Sequence, residues 1–124
     1  MNEQHAEKTM EVLLVGDSLE NISLTKEAFR LCRFKNSINV VWEGREALDY
    51  IHGRGQYADR KSYPYPQMIL FDLQMIKKDC FAVIEELRNH SEHCFIRTMV
   101  LSQTAKSEDV AAVYRSGACG YFTR

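Results

Sequence analysis

The sequence lacks several features that would assign it to a specialised class of protein. No apolar run approaches the ~20 residues that a membrane-spanning helix needs. The polar start, residues 1–5, does not have the basic and then apolar layout of a signal peptide. With 16 basic and 17 acidic residues, the net charge of −1 offers no broad field for nucleic acid or a membrane surface. We therefore expect a cytoplasmic protein whose chain contacts neither membrane nor nucleic acid.

A paired cysteine motif is also absent. The four cysteines are scattered without a CxxC pair, which is typical of reduced, mostly buried thiols in a reducing compartment. One short segment, 90–94, does bring together His90, His93 and Cys94. Because no paired set of metal ligands is apparent elsewhere in the sequence, a polar loop is the favoured interpretation of this segment, and a metal site the lesser one.

What is present is a repeating order of apolar segments. At 124 residues and 45% hydrophobic content, the chain is sized for one domain with one core. We predict strands at 11–15, 38–42, 67–71, 96–101 and 118–122, and helices at 19–32, from 44 onward, around 81–87 and at 107–115. Strands that alternate with helices in this way predict an α/β fold, a doubly wound parallel sheet with right-handed crossovers.

The apolar positions also predict which face of each helix packs on the sheet. The expected inward residues are Leu24, Ala28 and Leu31, then Ala47, Leu48 and Ile51, then Phe81, Ile84 and Leu87, and finally Val110 with Val113 and Tyr114. Gly117 is placed to end the last helix. Four helices divided between two faces leave one face thinly covered. We expect either a final helix absent from this chain or a partner, such as a second copy in a homodimer.

Two predicted strands end in a carboxylate. Residues 12–15 lead to Asp17 through Gly16, and residues 68–71 lead directly to Asp72. In an open α/β sheet the carboxyl ends of the strands meet at one edge, where binding sites form. Two carboxylates at this edge suggest a divalent-metal site with a reactive aspartate. For Asp17 alone, a helix N-cap is an equally good interpretation.

Ordered motifs at the strand ends resemble the receiver domain of bacterial two-component response regulators over essentially all of residues 10–124. The matching motifs are Leu14-Val15-Gly16-Asp17, Leu70-Phe71-Asp72-Leu73, Val100-Leu101-Ser102 and Gly117-Ala118-Cys119-Gly120-Tyr121-Phe122. The long loop with Gly55-Gln56-Tyr57-Ala58 and Tyr65-Pro66 looks most like the phytochrome-associated subgroup. The resemblance implies strand order 2-1-3-4-5 and a receiver domain at 10–124 that lacks its last helix. Residues 1–9 are polar, and we expect this terminal segment to be frayed.

The resemblance also implies a chemistry at the sheet edge. Asp72 would be the phosphoacceptor, taking a phosphoryl group from a sensor histidine kinase or a phosphotransfer protein. Mg²⁺ would be held by Asp17, by Asp72 and by the backbone carbonyl of Gln74. Such a domain is not an enzyme beyond self-catalysed phosphotransfer and autodephosphorylation.

A conformational response to phosphorylation follows from the same resemblance. The hydroxyl of Ser102 would contact the phosphoryl group, and Tyr121 would be the aromatic switch residue. Arg124 would occupy the place of the family's lysine. Movement of Ser102 toward the phosphoryl group would vacate space for the ring of Tyr121, which is a packing switch biased by a local charge change.

The sequence departs from the family at several of these positions. Gly16 replaces an acid that would hold the metal through water, and Arg124 keeps the charge of the lysine but not its compact ammonium group. Ile76 and Cys80 stand where proline and glycine are common, so Cys80 could require a backbone shape that glycine adopts more easily. Gln103 is bulkier than the small residue usual there and could narrow access to the aspartate.

Three functions are therefore weighed. The favoured one is a phosphoacceptor receiver, and the alternative is a degenerate receiver that acts as a phosphorylation-independent interaction module. The third, a phosphatase with an aspartate nucleophile, needs a second acid two positions after that nucleophile, where this chain has Gln74. A nucleotide or flavin carrier is disfavoured because no glycine-rich phosphate loop follows the first strand.

Overall fold

The chain alternates strands and helices from end to end. A computed structural model describes residues 9–31, 35–74, 78–103 and 106–123. The strands are β1 Met10–Gly16, β2 Asn36–Val41, β3 Met68–Leu73, β4 Arg97–Ser102 and β5 Gly120–Thr123. The helices are α1 Leu19–Arg30, α2 Gly44–His52, α3 Lys78–Arg88 and α4 Ser107–Ser116, with a short 3₁₀ helix at Gly55–Ala58. No helix in these ranges combines the length and the apolar character needed to cross a bilayer.

All five strands are parallel and lie in the order β2-β1-β3-β4-β5, which confirms the predicted doubly wound sheet. A parallel sheet of this kind reads as continuous apolar runs because both faces are covered. Residues 12–15 of β1 are accordingly all buried. The carboxyl ends of the strands form one edge, and the ends of β1 and β3 lie side by side there because Gly16 pairs with Asp72.

The two faces of the sheet are covered unequally. The larger hydrophobic core lies under α2, α3 and α4 and contains fully buried side chains such as Leu13, Ile69 and Ile84. The other core is small, with Leu14, Ile22 and Leu70 buried beneath α1. In the described ranges α1 alone packs on this second face, where several apolar side chains stay partly exposed, including Met99, Leu101 and Phe122.

The predicted inward face of α1 is wrong. Leu24 and Leu31 are 57% and 70% exposed and Ala28 is also exposed, whereas Asn21, Ile22 and Thr25 are buried. The helix turns a partly polar stripe to the sheet because its middle lies against the carboxyl edge, where Thr25 meets a carboxylate. It also ends at Arg30, and Cys32 lies outside the described residues.

Other packing predictions divide between right and wrong. Ala47, Ile51, Ile84, Leu87 and Val113 are buried as expected, while Tyr114, which was expected to face inward, is 50% exposed. Trp42, which follows β2, is also 48% exposed. Gly117 ends α4 with a left-handed φ of 109°, as predicted, which is the conformation that glycine adopts most easily.

The long segment between α2 and β3 is held by specific polar contacts. The hydroxyl of Tyr50 donates to the carbonyl of Pro64 at 2.9 Å and accepts a hydrogen bond from Asn39. Arg60 donates to the carbonyl oxygens of Tyr50, Ile51 and Tyr63. Burial raises the pKa of Tyr50 to about 12, so the phenol remains a donor throughout the physiological range. These contacts attach the segment to the end of α2, and Tyr57 from the same segment is buried in the larger core.

Candidate functional site

The candidate site lies at the carboxyl edge of the sheet, where Asp72 is the penultimate residue of β3. Its side chain is fully buried, and it pairs with Gly16 on β1 and with Leu101 on β4. From α1, the hydroxyl of Thr25 donates a hydrogen bond to Asp72 Oδ2 at 2.5 Å. A charge-assisted hydrogen bond of this kind stabilises the ionised carboxylate in a buried position. Sequence patterns could not predict Thr25 at this position, because a threonine within a helix has no spacing signal of its own.

Asp17 does not cap α1. Ser18 is the N-cap, and its hydroxyl accepts a hydrogen bond from the backbone N–H of Asn21 at 3.3 Å. The carboxylate of Asp17 instead accepts from the backbone N–H of Gln74, at 3.0 and 3.3 Å to its two oxygens. This contact joins the end of β1 to the end of β3. It leaves Asp17 half-buried beside the backbone that the resemblance assigns to the metal.

The absence of a side chain at Gly16 matches the packing of Ile22 from α1. A Cβ placed on Gly16 would lie 2.5 Å from Ile22 Cδ1 and 2.6 Å from Ile22 Cγ1, which is far inside van der Waals contact. The side chain of Ile22, buried in the smaller core, therefore fills the space that a side chain at position 16 would need. The departure in β1 and the apolar residue in α1 form one packing arrangement. The described residues thus offer Asp17 and Asp72 as the carboxylates of this edge.

Ser102 and Tyr121 share one face of the sheet. Ser102 ends β4, is fully buried, and pairs with Leu73 and Thr123. Tyr121 pairs with Val100, two residues before Ser102, and packs partly buried against the larger core. Ser102 therefore lies one residue further along the sheet edge than Asp72 does. Of the remaining predicted residues, Gln103 is exposed at the end of β4, and Arg124 lies outside the described residues together with Ile76.

A small cleft adjoins Asp17 on the larger-core side. It is lined by Trp42, Gly44, Asp79 and Cys80 as well as by Asp17 and the apolar residues beneath them. Cys80 lies in the first turn of α3, so it adopts ordinary helical backbone and the expected need for glycine is wrong. It is buried, and that burial raises the pKa of its thiol to about 12. The cleft places a third carboxylate, Asp79, and the single tryptophan near Asp17, which the sequence did not indicate.

Replacing Thr25 with valine is expected to lower the free energy of unfolding. Valine keeps the shape of threonine but cannot donate to the buried Asp72 carboxylate, and a hydrogen bond to a charged group contributes about 1.5 kcal/mol or more. Thr25→Ser keeps the donor and is the matched control. Urea unfolding of the three proteins measures the difference. Equal stability of the valine and serine variants would show that the contact with Asp72 contributes nothing.

Comparison with known proteins finds response regulators among the proteins similar to this chain. No model of a known protein family matches the sequence. The response regulator Rcp1 of Synechocystis sp. is 27% identical over 113 residues, which cover 91% of this chain and 75% of Rcp1.

Solved structures agree with the sequence comparison. The Mn²⁺-bound form of Rcp1 has a TM-score of 0.78 at 27% identity and covers 92% of this chain and 80% of its own. The phosphorylated cyanobacterial phytochrome response regulator RcpA has a TM-score of 0.81 at 28% identity, covering 94% and 81%. The bacteriophytochrome response regulator RtBRR has a TM-score of 0.78 at 27% identity, covering 94% and 70%. These relatives support the resemblance to response-regulator receivers, and in particular to the phytochrome-associated subgroup.

Proposed function

We propose that this chain is a phosphoacceptor receiver in a two-component pathway and that Asp72 takes the phosphoryl group. The observation that supports this most is the position of Asp72 at the carboxyl edge of β3, directly beside the end of β1 and one residue from Ser102. The donor would be the phosphohistidine of a sensor kinase or phosphotransfer protein. We propose a cytoplasmic location for this exchange.

The transfer moves one phosphoryl group between two side chains. An oxygen of Asp72 forms a bond to phosphorus as the bond between phosphorus and the donor's imidazole nitrogen breaks, and the imidazole keeps that electron pair. The hydroxyl of Thr25 donates to Oδ2 of Asp72 and so holds the reacting carboxylate in position. Ser102 is positioned to donate to a phosphoryl oxygen, and preorganised donors of this kind stabilise charge that develops in the transition state.

The donor atoms at this edge suit Mg²⁺. Carboxylate and backbone carbonyl oxygens are hard ligands, and Mg²⁺ is bound through one or two carboxylates with water and phosphate completing its shell. Asp17, Asp72 and the backbone of Gln74 would hold the ion, which would neutralise phosphoryl charge. The Mn²⁺-bound form of Rcp1 supports divalent binding in a protein of similar sequence.

The response to phosphorylation would pass through the face that carries Ser102 and Tyr121. Ser102 would turn toward the phosphoryl group, and the ring of Tyr121 would move into the space beside β4. The half-buried position of Tyr121 against the larger core is compatible with either placement of the ring. The surface formed by α4 and β5 would then differ between the two states, and this surface would meet the output partner.

A phosphorylation-independent interaction module is the second candidate. It is favoured by Ile22, whose side chain fills the space beside Gly16 where a second acid would stand, and by the complete burial of Asp72. In this alternative the fold would bind its partner in a single state.

Intact-mass measurement separates the two candidates. Purified protein incubated with Mg²⁺ and a small phosphodonor such as acetyl phosphate is expected to gain one phosphoryl group, because Asp72 needs no kinase side chain for the chemistry. Asp72→Asn should gain none, while Asp79→Asn should behave like the wild type. An unmodified wild-type protein at saturating donor and Mg²⁺ would favour the interaction module.

A further inference from the structure

Three histidines meet at the end of the sheet opposite Asp72. His52 ends α2, and His90 and His93 follow α3, so all three lie near the amino ends of the strands. Their ring centroids are 4.4 to 5.4 Å apart in every pair, and one ligand atom from each lies within 4.8 Å of the others. The sequence showed only His90 and His93, and the missing ligand comes from a different helix. The interpretation of 90–94 as a plain polar loop is therefore incomplete.

In two of the three histidines, His52 and His93, one ring nitrogen contacts a side-chain oxygen that can orient the ring. His52 Nε2 lies 3.3 Å from Glu86 Oε2, so a proton on Nε2 leaves Nδ1 free as a ligand. The hydroxyl of Tyr65 contacts His93 Nδ1 and lies 3.4 Å from the carbonyl of Glu92, which accepts its proton. When the ring proton of His93 lies on Nδ1, that nitrogen donates to Tyr65 and Nε2 is available to a metal. Metal-binding histidines commonly have their second nitrogen held by a carboxylate or another oxygen in this way.

His90 is the ligand that has to rearrange. Its Nδ1 accepts a hydrogen bond from the backbone N–H of Glu92 at 3.2 Å. An ion must either take Nδ1 from this exposed amide, which water can then satisfy, or bind Nε2 after the ring proton moves to Nδ1. Ligand nitrogens around a tetrahedral zinc ion lie ~3.3 Å apart at a bond length of ~2.0–2.1 Å. The three ligand atoms already lie within 4.8 Å of one another, so small rotations of the half-buried His52 and His90 rings and the buried His93 ring would bring them to that spacing.

We propose that His52, His90 and His93 form a binding site for Zn²⁺ or a similar imidazole-preferring divalent metal, separate from the carboxylate edge. Three nitrogens suit zinc, copper or nickel, whereas Mg²⁺ prefers oxygen ligands. A bound ion would join the end of α2 to the segment between α3 and β4.

Zinc titration against a chromogenic chelator tests the site in the whole chain. We expect one Zn²⁺ per chain at neutral pH, with Mg²⁺ unable to compete, and Co²⁺ should give the visible bands of a nitrogen-ligated site. His52→Ala, His90→Ala and His93→Ala should each weaken binding at least about tenfold, and Tyr65→Phe should weaken it about tenfold through the orientation of His93.

Control variants test whether a loss of zinc binding is specific to the three clustered histidines. His5→Ala removes the fourth histidine of the chain, which is not part of the proposed cluster, so it should bind zinc like the wild type. His52 is more exposed than His93, so His52→Ala is the variant expected to fold normally, which a thermal melt without metal checks. Unchanged affinity in a folded His52→Ala, or an equal loss in His5→Ala, would overturn the proposal.

Discussion

Replacing Asp17 with asparagine is expected to slow phosphorylation of Asp72 at least about 100-fold, a loss of about 3 kcal/mol of transition-state stabilisation. In the proposed site Asp17 and Asp72 are the two carboxylates assigned to Mg²⁺, since Gly16 supplies none. The amide oxygen of asparagine is a neutral and weaker ligand. The Asp17 carboxylate also accepts the N–H of Gln74, so its loss disturbs the backbone that completes the site.

Trp42 reports the same loss without a phosphodonor. Because the single tryptophan lines the cleft that contains Asp17, its fluorescence should change as Mg²⁺ or quenching Mn²⁺ is added. The change should disappear in Asp17→Asn. Asp79→Asn is the matched control, because Asp79 lines the same cleft but is not assigned to the metal. If the Asp17 variant responded to metal as the wild type does, the ion would have to bind elsewhere.

Introducing an acid at position 16 is expected to destabilise the fold by about 3 kcal/mol. The new Cβ would lie 2.5 Å from Ile22 Cδ1, and its charge would be added beside the buried Asp72. Ile22→Ala removes both atoms that would clash. Gly16→Asp combined with Ile22→Ala should therefore be less destabilised than the sum of the two single substitutions, by about 1–3 kcal/mol.

The affinity for Mg²⁺ provides a second measurement on the same single and double variants. Once the clash is removed, the new carboxylate at position 16 can hold the ion through water. The double variant should therefore bind Mg²⁺ at least about tenfold more tightly than Ile22→Ala does. Urea unfolding with and without Mg²⁺ measures both quantities. Strictly additive stabilities would show that Ile22 does not occupy the space of the missing acid.

Much of the fold was predictable because continuous apolar segments mark the buried strands. The apolar residues 12–15 and 68–71 predict strands that are buried on both faces. The alternation of strands with helices predicts parallel strands joined by crossover connections. The order 2-1-3-4-5 came from the resemblance and is confirmed. The ends of elements shifted by one or two residues, for example β3, which continues through Asp72 to Leu73. Such shifts depend on hydrogen bonds that a hydrophobic pattern does not record.

The errors fall where polar partners decide the packing. The pattern turned Leu24 and Leu31 inward, but α1 buries Thr25 because a carboxylate on β3 needs a donor. The histidine cluster was missed for a related reason. His52 lies far from His90 and His93 in sequence, and only the packing of α2 beside α3 brings the rings together. Contacts between distant polar residues leave no periodic signal in one chain.

Locating the phosphoryl group tests the central proposal most directly. After reaction with acetyl phosphate and Mg²⁺, borohydride reduction converts a phosphoaspartate into homoserine, which peptide mass spectrometry can locate. Asp72 as a phosphoacceptor predicts homoserine at position 72, in wild type and in Asp79→Asn but not without the phosphodonor. Homoserine at another position, or none while the protein is folded and binds Mg²⁺, would contradict it.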